Sequence, residues 1–97
     1  MTTYFVTRHP GARQWAEEEG LAVDEVVVHF DVACVQAGDS VIGSLPVNLA
    51  GEVCALGARY FHLSLSLAAE QRGEELTSEQ MRDAGAKIEE YKVERLG

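Results

Sequence analysis

Apolar and polar residues follow one another in short segments, some alternating like strands and others spaced like helices. Residues 3–7 and 25–30 are rich in β-branched and aromatic residues and predict two strands, the second apolar enough at its centre to be buried on both faces. Residues 40–44 predict a third strand. Residues 59–67 alternate strictly and predict a fourth strand that lies at an edge or lines a cleft. Its polar face consists of Tyr60, His62, Ser64 and Ser66.

Three other segments predict helices. The first begins at His9-Pro10 and runs to about Gly20. The second covers residues 46–56 and has so few polar positions that it must be largely covered. The third begins at a capping box, Thr77-Ser78-Glu79-Gln80, and contains Gly85, which weakens it by about 1 kcal/mol relative to alanine. Its inner stripe is predicted to be Met81, Ala84, Ile88 and Tyr91.

The order of these elements predicts the fold class. Strands separated mainly by helices build a mostly parallel sheet with helices on its faces. Residues 91–96 end the last helix or add a short strand, so the sheet has four to five strands. A chain of 97 residues with 46% apolar content supports one modest core. We therefore expect one three-layer α/β domain over residues 1–97, with a homodimer as the default assembly for a domain of this size.

The charge and the apolar content exclude several classes of protein. A net charge of −8 argues against a protein that coats long DNA or RNA, because that affinity rests on many Lys and Arg contacts to phosphate. The apolar runs are far below the ~18 residues of a membrane span, and the N-terminus lacks a secretory pattern, so we expect a cytoplasmic protein without a membrane partner. Cys34 and Cys54 fit neither a disulfide framework nor a zinc site.

Acidic residues are missing from two regions in which strands give way to helices. Residues 1–16 contain Arg8 and Arg13 but no Asp or Glu, and residues 40–69 contain only Glu52. In a parallel sheet the turns that follow the strands collect at one edge. A small anion is therefore expected at that edge.

Both helices at that edge are predicted to have proline as their first helical residue, Pro10 and Pro46, which makes His9 and Leu45 the N-caps. Neither is a residue type that accepts from the exposed N–H groups, so those donors can receive an anion instead. Thr77, by contrast, satisfies the donors of its own helix. The alternative is two ordinary loop-to-helix turns with water on the free amides.

The side chains near these turns supply the candidate catalytic and binding groups. Arg8 can grip a phosphate bidentately, or is only a surface charge beside a turn. His9 is the candidate general acid or base, or is only a turn residue, and His62 is interpreted as a packing or cleft-wall residue. Dinucleotide, P-loop and carboxylate-cluster motifs are absent, so no cofactor or metal is expected. The expected ligand-binding residues are Thr7, Pro10, Gly11, Ser44, Leu45, Pro46, Asn48, Ser64, Ser66 and Arg72.

Three segments resemble a family of small CRISPR-associated accessory proteins that occur with type III systems. They are residues 4–12 (YFVTRHPGA), 39–50 (DSVIGSLPVNLA) and 52–65 (EVCALGARYFHLSL). The resemblance runs from about residue 3 to 93. It implies a Rossmann-like fold related to sensors of cyclic oligoadenylate, and a ring nuclease that opens cyclic tetra-adenylate to end the antiviral signal.

The predicted edge is compatible with that reaction. Attack of a ribose 2′-hydroxyl on its adjacent phosphate gives linear products with 2′,3′-cyclic phosphate ends and needs neither a protein nucleophile nor a metal. We assign His9 as general base or acid, Arg8 and the helix N-termini as charge stabilisers, and Asn48 with Ser44 as positioning groups. A homodimer would present two such edges to the symmetric ring. Two alternatives stay open: a non-catalytic binder or sequestering protein for cyclic oligoadenylate, and a structural interaction subunit.

Overall fold

A computed structural model describes residues 1–66 and 75–97 of the chain. The strands in these two segments are β1 (Thr3–Val6), β2 (Glu25–Val27), β3 (Ser40–Gly43), β4 (Arg59–Ser64) and β5 (Lys87–Tyr91). The helices in the same segments are α1 (Ala12–Glu18), α2 (Val47–Ala55) and α3 (Ser78–Asp83), and a 3₁₀ turn covers Val32–Cys34.

The strands form one sheet in the order β2-β1-β3-β4-β5. β1 runs parallel to β2 and β3, β3 runs parallel to β4, and β5 pairs with β4 in the antiparallel direction. The predicted α/β class with a mostly parallel sheet of four to five strands is therefore confirmed.

Helices cover both faces of the sheet and bury two groups of apolar side chains. On one face α1 and α3 pack over Phe5 and Leu63, and the Trp15 ring meets the Phe5 ring edge to face with 6.3 Å between centroids. On the other face α2 packs over Val41 and Tyr60. Among the described residues, no helix is long and apolar enough to span a lipid bilayer.

The prediction that residues 25–30 form a strand buried on both faces is wrong. β2 is only three residues long and lies at the edge of the sheet, and the side chain of Val28 is 61% exposed. After β2 the chain leaves the sheet and enters the 3₁₀ turn, which Asp31 caps with its Oδ1 accepting from the N–H of Ala33 at 3.0 Å. The apolar run reports local strand propensity, which does not distinguish an edge from a centre.

The last helix begins as predicted but ends earlier. The Thr77 hydroxyl accepts from the Gln80 N–H, and the Gln80 side chain accepts from the Thr77 N–H, which confirms the capping box. Gly85 then adopts a φ of +71° just after the helix, and the Ala86 N–H donates to the Met81 carbonyl, as in a Schellman termination. Gly85 therefore ends α3, and the residues predicted to continue the helix form β5 instead.

The prediction that the second helix is largely covered is also wrong. Ala50 and Val53 are buried against the sheet, whereas Val47 is 73% exposed and Leu56 is 45% exposed. A helix of nine residues lying on one face of the sheet buries only one side. Apolar surface therefore remains at both ends of α2.

Candidate functional site

The carboxyl ends of β1 and β3 lie side by side at the point where the strand order reverses. From β1 the chain continues to β2 on one side, and from β3 it continues to β4 on the other side. In open α/β sheets ligands bind in the crevice that opens at such a point. The crevice is bordered here by residues 7–11 after β1 and residues 44–46 after β3.

A cavity of about 300 Å³ lies in this crevice. Its wall combines Thr7, Arg8 and His9 from the first loop with Ser44 and Leu45 from the second, backed by leucine side chains. The structure thus brings together five residues that the sequence proposed for a ligand. We call this space the crevice cavity.

His9 is held by two hydrogen bonds, one made by its backbone and one by its ring. Its backbone N–H donates to the Thr7 hydroxyl at 3.1 Å, and its ring Nδ1 accepts from the backbone N–H of Leu76 at 3.0 Å. A backbone N–H can only donate, so Nδ1 must be unprotonated, and a neutral ring then carries its proton on Nε2. The ring is therefore a fixed hydrogen-bond donor through Nε2.

The start of α1 is closed to a ligand, which corrects the prediction of two open helix starts. The N-cap is Gly11 and not His9, because the Ala12 N–H first turns back to the His9 carbonyl. The Gly11 N–H donates to the Leu76 carbonyl at 3.1 Å. Gly11 itself is buried against the start of α3, so closely that an added Cβ would lie 2.1 Å from the Ser78 nitrogen.

The start of α2 is open. Its N-cap is Pro46 and not Leu45, because Pro46 has an extended backbone with ψ of 148° and its carbonyl accepts the helix's hydrogen bond from Ala50 at 3.0 Å. No side chain caps this helix, as predicted. The N–H groups of the exposed residues Val47 and Asn48 therefore lie at the positive end of the helix dipole, where no side chain caps them.

The loop between β3 and α2 is tied down by a residue that the sequence reasoning did not single out. The Tyr60 hydroxyl accepts from the Leu45 N–H at 3.0 Å and lies 3.1 Å from the Gly43 carbonyl, to which it can donate. Burial raises the pKa of Tyr60, so the hydroxyl keeps its proton. Ser44 donates to the Leu63 carbonyl at 2.6 Å. The available signal was the alternation of β4, which puts Tyr60 on the α2 side.

The remaining predicted site residues lie elsewhere. Asn48 is exposed and lines a separate groove along α2, and Ser64 lines a cavity on the α2 side of β4. Pro10 and Ser66 are exposed and do not line the crevice cavity. Arg72 lies outside the described residues. Within residues 1–66 and 75–97, no three His, Cys, Asp or Glu side chains form a group that could hold a metal ion.

Arg8 brings a positive charge to the crevice cavity. Its side chain is exposed, and it takes part in none of the ion pairs between described residues. Those pairs join Arg59 with Glu90, Arg82 with Glu18, and Lys87 with Glu89. An anion in the cavity would therefore meet a guanidinium that no described carboxylate neutralises.

The protonation of His9 predicts a pH dependence of stability. Partial burial, and then the nearby Arg8, lower the pKa of His9 below its ordinary value of 6.5, while Glu75 acts in the opposite direction. As the pH falls below 6.5, the His9 ring takes up a proton in the unfolded chain at a higher pH than it does in the folded protein. The contribution of His9 to stability is therefore complete above pH 6.5 and is lost as the pH falls through the lowered pKa.

We expect denaturant unfolding between about pH 7.5 and about pH 5 to show this loss. The wild type should lose more stability on acidification than His9→Asn, in which nothing titrates at that position. Equal losses in the two proteins would contradict the assignment of a neutral His9.

A comparison with protein families identifies the family of this chain. Residues 4–94 match the model of a family described as "Putative CRISPR-associated protein (Cas_VVA1548)". The chain belongs to this family. The matched part of this CRISPR-associated protein runs from β1 to beyond β5, so both loops of the crevice lie within it. No curated protein and no solved structure is significantly similar to the chain.

Proposed function

We propose that this CRISPR-associated protein is a cytoplasmic ring nuclease of type III systems that opens cyclic tetra-adenylate without a metal ion. The observation that carries the proposal is the crevice cavity, whose wall brings Arg8 and His9 together with Ser44 and Leu45, the residues that lead into the uncapped start of α2. These groups stabilise negative charge, and they occur together in a protein whose net charge is −8.

The reaction that fits is an internal transfer of the phosphodiester. The 2′-oxygen of a ribose forms a bond to the adjacent phosphorus while the bond from phosphorus to the 5′-oxygen breaks. The products are a 2′,3′-cyclic phosphate and a 5′-hydroxyl, and water carries the proton from the 2′-oxygen to the 5′-oxygen. The protein contributes position and charge stabilisation, for which the crevice cavity is suited.

The role of His9 in this proposal is narrower than a general acid or base. Loss of the Nε2 proton from a neutral ring would leave an imidazolate, and a second proton on Nδ1 would face the Leu76 N–H. His9 therefore acts as a neutral donor from Nε2 to a phosphoryl oxygen. Arg8 supplies the full positive charge, and the N–H groups at the start of α2 supply further donors.

Two copies of the chain would suit the symmetry of the ring. Cyclic tetra-adenylate carries four phosphates, and a two-fold dimer would set one crevice cavity against each half of it. Support comes from the exposed apolar side chain of Val47, which lies at the start of α2, two residues after Leu45 of the crevice wall. Light scattering of the purified protein, with and without the ring, measures whether two copies assemble.

Incubation of the protein with cyclic tetra-adenylate in EDTA, followed by chromatography, tests the activity. We expect linear adenylates with 2′,3′-cyclic phosphate ends from the wild type. Arg8→Ala should lower kcat/KM by about 100-fold, because it removes the charge that faces the phosphorane. Arg13→Ala is the matched control, since Arg13 is exposed on α1 and outside the cavity, and it should cleave like the wild type.

The other results have definite meanings. If the ring stays intact but raises the melting temperature, the protein binds or sequesters cyclic oligoadenylate and does not cleave it. An intact ring without any thermal shift would favour a structural interaction subunit. Full cleavage by Arg8→Ala would move the active site away from the crevice cavity.

A further inference from the structure

A second cavity of about 420 Å³ lies on the α2 side of the sheet, next to the crevice cavity. Leu45 lines both cavities, and Val47 at the start of α2 lines the second one. Leu45 therefore separates the two spaces, and the open N-terminus of α2 borders the second one. We call the second space the aromatic cavity.

Aromatic rings make the wall of this cavity on β4 and β5. The His62 ring packs edge to face against Tyr60, with centroids 5.8 Å apart, and against Tyr91, with centroids 6.0 Å apart and planes at 90°. The Tyr60 hydroxyl also lies 2.6 Å from His62 Nδ1, which fixes the His62 ring. Tyr91 remains 49% exposed, so part of its ring surface is free to contact a ligand.

The aromatic cavity offers little net charge. On β5 the residues paired with Ser64 and His62 are Lys87 and Glu89, and their side chains form an ion pair with each other at 3.6 Å. Neither residue lines the cavity, whose wall is apolar apart from the hydroxyl groups of Tyr60, Ser64 and Tyr91 and the imidazole of His62. Such a space suits a planar, uncharged group with a few polar edges, and it does not suit a phosphate.

We propose that the aromatic cavity binds a purine base of the oligoadenylate, stacked on Tyr91, while the phosphate attached to that nucleoside sits at the start of α2. This inference rests on the proposed function. Aromatic rings stack on bases whatever the strand sequence, and the polar groups of His62 and Ser64 are near enough to the stack to contact the base edge. This phosphate is the reacting one: it meets Arg8 and His9 on its crevice side, and the aromatic cavity sets the position of its base.

Nuclear magnetic resonance of the isotope-labelled full chain separates the two sites. The probes are a linear adenylate dinucleotide and ribose 5-phosphate, which has no base. We expect the dinucleotide to shift the ring signals of Tyr91 and His62 together with the amides of residues 44–49. Ribose 5-phosphate should shift only those amides.

Variants of Tyr91 then measure the contribution of stacking. Tyr91→Ala should raise the KM for cyclic tetra-adenylate about tenfold, equal to about 1.4 kcal/mol, with little change in kcat. Tyr91→Phe keeps the ring and should retain the wild-type KM. Leu56→Ala changes an exposed apolar residue at the other end of α2 and serves as the control.

The failures of the two proposals are distinguishable. Dinucleotide shifts confined to residues 44–49, or an unchanged KM in a Tyr91→Ala protein that still cleaves, would overturn the aromatic cavity as a base site and leave the ring nuclease intact. The absence of both cleavage and shifts with either probe would overturn both proposals.

Discussion

Replacing Gly11 with alanine is expected to destabilise the protein by about 3 kcal/mol or more and to abolish the activity of what remains folded. The new Cβ would lie 2.1 Å from the Ser78 nitrogen and 2.3 Å from the Thr77 carbonyl carbon. Both are backbone atoms, so a side-chain rotation cannot relieve the overlap. α1 and α3 would have to move apart, and the Leu76 peptide that holds His9 would move with them.

Denaturant unfolding of Gly11→Ala beside Gly51→Ala tests this expectation. Gly51 lies inside α2, where an added Cβ meets only a Val93 methyl at 3.6 Å, so alanine should be neutral or stabilise by up to about 1 kcal/mol. Gly11 has an ordinary φ of −80°, so backbone strain does not contribute to its effect. Wild-type stability in Gly11→Ala would show that α1 and α3 are not packed as described.

Replacing His9 with asparagine should separate the catalytic function of His9 from its structural one. Asparagine offers an amide oxygen where Nδ1 lies, so it can still accept from the Leu76 N–H, but it has no donor at the position of Nε2. We expect near wild-type stability and a fall in kcat of about 100-fold or more, because a donor to the transition state is lost. Unfolding curves and single-turnover cleavage of cyclic tetra-adenylate measure the two effects.

Two companion variants complete the design. His9→Ala leaves the Leu76 N–H without its acceptor and should lose the same activity together with about 1 kcal/mol of stability, since the site is only partly buried. His9→Gln presents an amide donor near the position of Nε2 and should recover part of the activity. Wild-type cleavage by His9→Asn would remove His9 from the mechanism.

The parts of the fold that depend on residues close together in the sequence can be predicted from the sequence. The alternation of β4 and the capping box at Thr77 are set by residues a few positions apart, and both are as expected, although β4 ends at Ser64 and not at residue 67. Gly85 shows the limit of local reasoning, because a glycine both weakens the interior of a helix and favours the position just after the end of one. The positive φ of Gly85 and the pairing of β5 with β4 show that the chain turns there.

The candidate site divides in the same way. Arg8, His9 and the loop at Ser44 follow from two strand-to-helix turns on one sheet edge, which the strand order makes neighbours. The closure of α1 and the tautomer of His9 do not follow, because both depend on the backbone N–H and C=O of Leu76, 67 positions along the chain from His9. No local pattern around His9 predicts that contact.

The backbone of Leu76 also determines when the site can form. Its N–H serves His9 and its carbonyl serves Gly11, so the first loop of the crevice is completed from the last third of the chain. A nascent chain that ends before that point carries Arg8 and His9 but lacks the partner that selects the proton position of the imidazole. During synthesis the crevice therefore forms late, after β1 and β3, the strands that frame it, have left the ribosome.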